Sequence, residues 1–258
     1  RVESWTAGEA ASRAQAVRVV LAHPGKRNAM SRAMWRQLRS VFEDLQRQPG
    51  LRCIVLQGEG EAFCAGGDIS EYADFRFQPE SLAAFHEGEV WPALHAMLQC
   101  DVPLVAAIDG ACMGAGVELA SCCDTRMATE TAQFGAPIAK LGFPMAPKEA
   151  ALVLSQVGPA KTRQMLLEAA VFGAEQMLAS GFLSQVHPAA QLPAQLERSV
   201  ARICGLAPQA ARMTKQLLRA LAEGDAQAAV LQQPYAYADS AEHREGIAAF
   251  VAKRSPQF

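Results

Sequence analysis

Val102-Pro103-Leu104-Val105-Ala106-Ala107-Ile108-Asp109-Gly110-Ala111-Cys112-Met113-Gly114-Ala115-Gly116-Val117-Glu118 is the stretch on which the fold turns. Val102 to Ile108 has the length and composition of a buried strand, with Pro103 at its start, where a missing N–H does least harm. Three glycines then break the chain before a helical segment over Val117 to Cys123, and Thr125 to Ala128 returns as a strand. Toward the N-terminus, Cys53 to Leu56 is a second buried strand. It is followed by a Gly-rich loop over Gly58 to Ile69 and a helical pattern from Ser81 to Gln99. Earlier still, Val17 to Ala22 reads as a strand closed by His23-Pro24-Gly25. Ser31 then caps a helix whose Met34, Leu38, Val41, Phe42 and Leu45 recur at helical spacing until Pro49-Gly50. Strand and helix alternate in this way to about residue 145, which predicts an α/β layer of crossover units. From Pro147 onward the patterns are helical. The division expected is an α/β core over residues 1–190 and a helical C-terminal lobe over 191–258.

Composition narrows the function classes. The 258 residues are 50% hydrophobic and 19% charged, enough for a sizeable core and incompatible with intrinsic disorder. Lys plus Arg at 24 against Asp plus Glu at 26 leaves a net charge of −2, without the basic excess that nucleic-acid binding uses. The apolar runs fall well short of the roughly 20 residues of a membrane span, and Arg1 to Ala16 reads as a frayed start lacking the apolar segment of a signal peptide. A soluble, cytoplasmic protein is expected, with neither nucleic acid nor membrane as a partner. Seven cysteines without a C-x-x-C pair read as reduced, buried thiols, and five scattered histidines without H-E-x-x-H give no metal site.

Several catalytic motifs fail. Gly58-Glu59-Gly60 would need glycine at Phe63, and Gly114-Ala115-Gly116 would need a small residue at Leu119, so neither is a dinucleotide fingerprint. No P-loop and no G-x-S-x-G elbow occurs. Two loops hold, each following a strand. In Ala62-Phe63-Cys64-Ala65-Gly66-Gly67-Asp68-Ile69, paired glycines let the backbone approach a ligand closely. In Asp109 to Leu119, a loop feeds a helix whose first amides lack intrahelical partners. One donor from each would form an oxyanion hole.

Taken together, Ala62–Ile69, Val102–Asp124 and Gln133-Phe134-Gly135-Ala136-Pro137 resemble the enoyl-CoA hydratase/isomerase (crotonase) superfamily over nearly the whole chain. Pro24 with Asn28-Ala29-Met30, Gly158 to Val186, and Phe250 to Arg254 fit its N-terminal turn, middle helices and C-terminal helix end. The resemblance implies a crotonase-like spiral of ββα units with a helical C-terminal trimerisation region, assembled as a homotrimer or as a hexamer made of two trimers. It implies an acyl-CoA thioester as substrate. No cofactor is called for, since coenzyme A comes as part of that substrate. By the same resemblance, Gly67 and Ala115 supply the two oxyanion-hole amides, and Ala65, Gly66, Asp68 and Ile69 hold the adenine end of CoA. Lys26, Arg27 and Lys253 face its phosphates, and Ala29, Gly114, Pro137 and Ile138 complete the acyl-CoA site.

The chemistry that remains is proton transfer. Glu118, three residues after Ala115, lies on the side of the helix to which that amide points and is the acid/base. Hydratases of the superfamily use a second glutamate just after the Gln-Phe-Gly-x-Pro segment, where this chain has Ile138. An isoleucine carries no proton. Lys140, Lys148 and Glu149 replace it only if the following loop folds inward, and they read as surface charges. One-base chemistry on an enolate is therefore the leading reading: double-bond isomerisation, or hydration/dehydration, of an enoyl-CoA. A decarboxylase or hydrolase on the same scaffold, or a non-catalytic acyl-CoA binder, is the alternative. The far wall of the pocket is expected from Tyr72 to Phe85 and from the helical lobe.

Overall fold

The computed structural model describes residues 1–5 and 15–258. Two sheets organise it. The larger has six strands: β1 (Val2–Trp5), β2 (Gln15–Leu21), β3 (Leu51–Gly58), β5 (Leu104–Ile108), β7 (Thr125–Thr129) and β10 (Gln185–His187), adjacent in that order. All its pairings are parallel except β1 with β2 at the edge. The smaller sheet sets β4 (Ala62–Cys64), β6 (Ala111–Met113), β8 (Gln133–Gly135) and β9 (Val171–Gly173) side by side.

These pairings build a spiral. Each long strand hands the chain to a short strand of the second sheet, β3 to β4, β5 to β6 and β7 to β8, and each pair is followed by helix. After β4 come a 3₁₀ turn (Ile69–Asp74), α2 (Pro79–Phe85) and α3 (Trp91–Leu98); after β6 comes α4 (Ala115–Ser121); after β8 comes α5 (Pro147–Val157). Each repeat is one ββα unit, as expected.

Several elements differ from the sequence reading. Val2–Trp5 forms an edge strand and is not frayed, while 6–14 lie outside the described residues. The loops read at Gly58–Ile69 and Asp109–Gly116 each contain a three-residue strand, too short to leave a period-2 pattern. Strands β9 and β10 lie in the region read as wholly helical for the same reason. The Ser81–Gln99 helix divides at a π-helical segment over His86–Val90.

The core follows from strand alternation. Ile54, Leu56, Leu104, Ala106 and Ile108 face one way, onto α1 (Arg32–Gln46), α3 and α4. Cys53, Val55, Val105, Ala107 and Met127 face the other, under Leu192, Leu196, Val200 and Cys204 of α8 (Leu192–Cys204). Ser31 caps α1 as expected, its Oγ accepting from the Met34 amide at 3.2 Å. All seven cysteines are buried. Between α5 and α8 lie α6 (Pro159–Leu167) and α7 (Ala174–Ala179); beyond α8, α9 (Pro208–Glu223), α10 (Ala229–Gln232) and α11 (Ala241–Val251) bury only Ala220 and Ala249 fully. No helix among the described residues is long and apolar enough to cross a membrane.

Candidate active site

The first loop is held by the turn before α1. Arg27 and Asn28 both take left-handed backbone, at φ 47° and 59°. The buried Asn28 side chain donates to the carbonyls of Glu59 (2.9 Å) and Ala62 (2.7 Å) and accepts from the His23 amide. This fixes the turn against the start of β4. The Ala65 amide then donates to Arg27 O, the Met30 amide to Gly66 O and the Asp68 amide to Met30 O. In that parallel bridge the atoms bonded to Met30 belong to Gly66 and Asp68, so Gly67 directs its own N–H away, and it has no partner among the described residues.

The second donor is the first amide of α4. Gly114, at φ 49°, turns the chain out of β6, and its carbonyl accepts from Val117 and Glu118. The Ala115 N–H, one of the orphan amides of a helix N-terminus, is likewise unbonded. The loops meet closely: a Cβ on Gly114 would lie 3.7 Å from Gly66 Cα, and one on Gly66 3.6 Å from Met113 O. At Gly116 a Cβ would come within 2.7 Å of Cys64 O, so glycine is required for α4 to approach β4.

Gly67, Gly114, Ala115, Glu118 and Ile138 line one narrow cavity of about 60 Å³. Glu118, on the first turn of α4, makes no ion pair or side-chain hydrogen bond among the described residues. Burial, reinforced by the negative charge of Glu149, pushes its carboxyl up to about 8. A group with that value holds its proton at neutrality and can still release it, the property required of an acid/base near pH 7.

The structure corrects the reading of Glu149. It is 2% exposed on the first turn of α5, and its Oε1 lies 3.0 Å from His86 Nδ1. His86 lines the same cavity from the π-helical segment, a local widening common at functional sites. The loop does fold inward, but it brings the glutamate to a histidine 63 positions earlier. Lys148 and Lys140 stay exposed, Lys148 paired with Glu87.

The other expected residues have different places. Asp68 is a loop brace: it accepts from the Ser70 amide and hydroxyl and from Lys26 Nζ, and the Ser70 bonds, with Lys26, hold its carboxyl below the usual carboxylate range. Lys26 also reaches Ser70 Oγ at 2.9 Å. Ala29, Ala65, Gly66, Ile69 and Pro137 border the loops without lining the cavity, with Ile69 exposed. Lys253 is exposed after α11 and away from the cavity wall. The far wall does include Tyr72 and Phe85, joined by Arg76, but the rest of it comes from Trp35, Val90 and Phe143–Ala146, and not from the C-terminal helices. Among the described residues no group of three or more His, Cys, Asp or Glu is placed to hold a metal.

The ββα spiral that carries these groups is matched over nearly its whole length by known proteins. The profile of the enoyl-CoA hydratase/isomerase family covers residues 12–258. The chain belongs to that family. It is 34% identical over 247 residues to a 2,3-dehydroadipyl-CoA hydratase of Escherichia coli, 93% of each chain being covered. An enoyl-CoA hydratase/carnitine racemase of Magnetospirillum magneticum superposes with a TM-score of 0.90 at 33% identity, covering 94% of this chain and 91% of that one. An enoyl-CoA hydratase/isomerase of Marinobacter aquaeolei gives 0.84 at 29%, covering 94% and 95%. The crotonase fold and an acyl-CoA enzyme of hydratase/isomerase type are thereby established for the chain.

Proposed function

We propose that this family member interconverts an enoyl-CoA and its 3-hydroxyacyl-CoA through a thioester enolate. The thioester oxygen sits between the amides of Gly67 and Ala115, which face where negative charge develops. Donors of this kind contribute roughly 3–4 kcal/mol each to the transition state. Glu118 moves the proton at Cα. The observation that carries the reading is the placement of Glu118, its carboxyl raised to about 8, in a cavity that Gly67 and Ala115, the residues of the two free amides, also line.

The second proton carrier is His86. With Nδ1 donating to Glu149, its Nε2 has no partner among the described residues and is available to a water entering the cavity. In this reading His86 handles the water proton at Cβ while Glu118 handles Cα, so the role that Ile138 cannot fill is taken from a different part of the chain. The relative named as a 2,3-dehydroadipyl-CoA hydratase supports hydration. Isomerisation by Glu118 alone is the second reading, favoured by Ile138 at the cavity wall.

Assembly belongs to the same proposal. Leu218, Leu221, Ile247, Phe250 and Val251 are exposed on α9 and α11, and a second and third copy of the chain would cover them in a trimer or a dimer of trimers, which light scattering reads directly.

Turnover of 2-enoyl, 3-enoyl and 3-hydroxyacyl thioesters tests the function. Hydration of the 2-enoyl substrate is expected, with Glu118→Gln binding it nearly unchanged and losing about 10²–10⁴ in kcat. Conversion of 3-enoyl thioesters alone would select isomerisation, and binding without turnover of any would leave a non-catalytic acyl-CoA protein.

A further inference from the structure

Arg76 is the only Lys or Arg among the residues lining the cavity, and the chemistry above does not use it. Three other partly or fully buried arginines have oxygen partners. Arg32 forks onto Glu89, Arg219 onto Asp101 and Leu98 O, and Arg126 donates to the carbonyls of Phe182, Cys123 and Ala120. The Arg76 amide donates to Tyr72 O at 3.0 Å, but its guanidinium has no hydrogen bond and no ion pair among the described residues. Its guanidinium carbon lies 3.8 Å from the centre of the Phe143 ring and 4.4 Å from that of Tyr72. Contacts with ring faces hold the cation in place but leave its fork of N–H donors without an oxygen acceptor. The same wall carries Phe85, Val90 and Ile138, its one carboxyl, Glu118, keeping its proton near neutrality with a value of about 8, and burial pushes Arg76 below the ordinary arginine value. A partly desolvated guanidinium in such a wall is costly unless an anion completes it.

Its position says where that anion belongs. A Cβ on Gly67 would lie 2.1 Å from the Tyr72 hydroxyl, so one tyrosine side chain spans the distance from the oxyanion-hole loop to Arg76. We propose that Arg76 recognises a carboxylate at the far end of the acyl chain, and that the preferred substrates are short acyl-CoA thioesters of dicarboxylic acids. This rests on the acyl-CoA reading of the cavity and names its substrate class. The planar fork fits a carboxylate through two parallel N–H bonds, whereas an alkyl terminus would leave the cation partly desolvated and unpaired.

The test pairs each alk-2-enedioyl-CoA with the alk-2-enoyl-CoA of the same length. The wild type is expected to favour the carboxylate-bearing member in kcat/KM. Arg76→Met should lower that member's value about 10- to 100-fold, the range for a hydrogen bond to a charged group, while sparing or improving the neutral one, and Arg76→Lys should recover part of the loss. Equal effects on both members, or a wild-type preference for the neutral one, would overturn the proposal. Affinity for the saturated dicarboxylyl-CoA is measured alongside. If Arg76→Met weakens it although no thioester turns over, the recognition stands and the proposed reaction fails. A CoA phosphate is the other anion that could meet Arg76; an equal loss of affinity for free CoA in Arg76→Met would assign it that role and overturn the acyl carboxylate.

Discussion

The glycine-bearing loops of the first two ββα units and the segments that follow them meet at one cavity but supply different kinds of group. From β4 and β6 come glycine-bearing loops whose contribution is backbone: the N–H groups of Gly67 and Ala115, aimed by bonds made through their neighbours. The segments that follow supply side chains: His86 after β4, Glu118 on α4 and, after β8, Ile138 and Phe143–Ala146 as wall with Glu149 behind His86. A backbone donor tolerates a change of residue, as Ala115 in a glycine-rich loop illustrates. A side-chain proton carrier tolerates none, but it can be replaced by another titratable group reaching the same space. The amide half of the site is therefore fixed by chain geometry, and the acid/base half is open to relocation.

The largest expected effect breaks the amide half. Gly67→Pro removes an N–H that serves no bond within the chain, so the protein should fold while kcat falls by at least the 10²–10³ associated with loss of one oxyanion donor. Gly67→Ala is the control. Its Cβ meets only the Tyr72 side chain, 2.1 Å from the hydroxyl and 3.2 Å from Cζ, so the ring must shift but the donor survives, and the loss should be clearly smaller than in Gly67→Pro. A folded Gly67→Pro variant with wild-type turnover would remove Gly67 from the oxyanion hole.

Legibility in the sequence divides along the same line. The amides could be found because glycines in series after a buried strand mark a backbone that must approach something, and the helical phase of Glu118 relative to Ala115 is local. Strands β4, β6 and β8 were hidden by their three-residue length, although the loops containing them were not. The pairing of Glu149 with His86 had no local signal at all. It depends on α5 packing its first turn toward the π-helical segment, and a lone charged residue in a helix start reads as solvated surface. Arg76 carries no local signal for the same reason: only tertiary structure shows a guanidinium against two rings with no acidic partner among the described residues.

A smaller effect separates the two glutamates. Glu149→Gln keeps size and a polar contact with His86 but deletes the charge that, with burial, raises Glu118. Under the proposed function, hydration should fall about tenfold or more, and the Glu118 midpoint near pH 8 should move down. Stability gives an independent reading. Between the ordinary carboxylate range and pH 8, Glu118 retains a proton in the folded chain that the unfolded chain has released, so stability falls as pH rises through that window. The fall should be shallower in Glu149→Gln, measured by thermal unfolding at successive pH values. An unchanged pH–rate profile would show that Glu149 does not act on the acid/base half.

The smallest effect is expected where a family comparison would place the largest. Ile138→Glu restores a carboxylate at the position hydratases of the superfamily use, beside Glu118 and within reach of the field of Glu149. The new charge must be desolvated against Phe143 and Met145, and its like charge would push Glu118 still higher. If His86 with Glu149 already performs the second proton transfer, the added group duplicates it, and hydration of crotonyl-CoA should change less than about threefold for a cost of a few kcal/mol in stability. A gain of tenfold or more would mean that the second transfer is missing in the wild type. The histidine–glutamate pair would then be a structural contact, and one-base isomerisation by Glu118 the better account of the site.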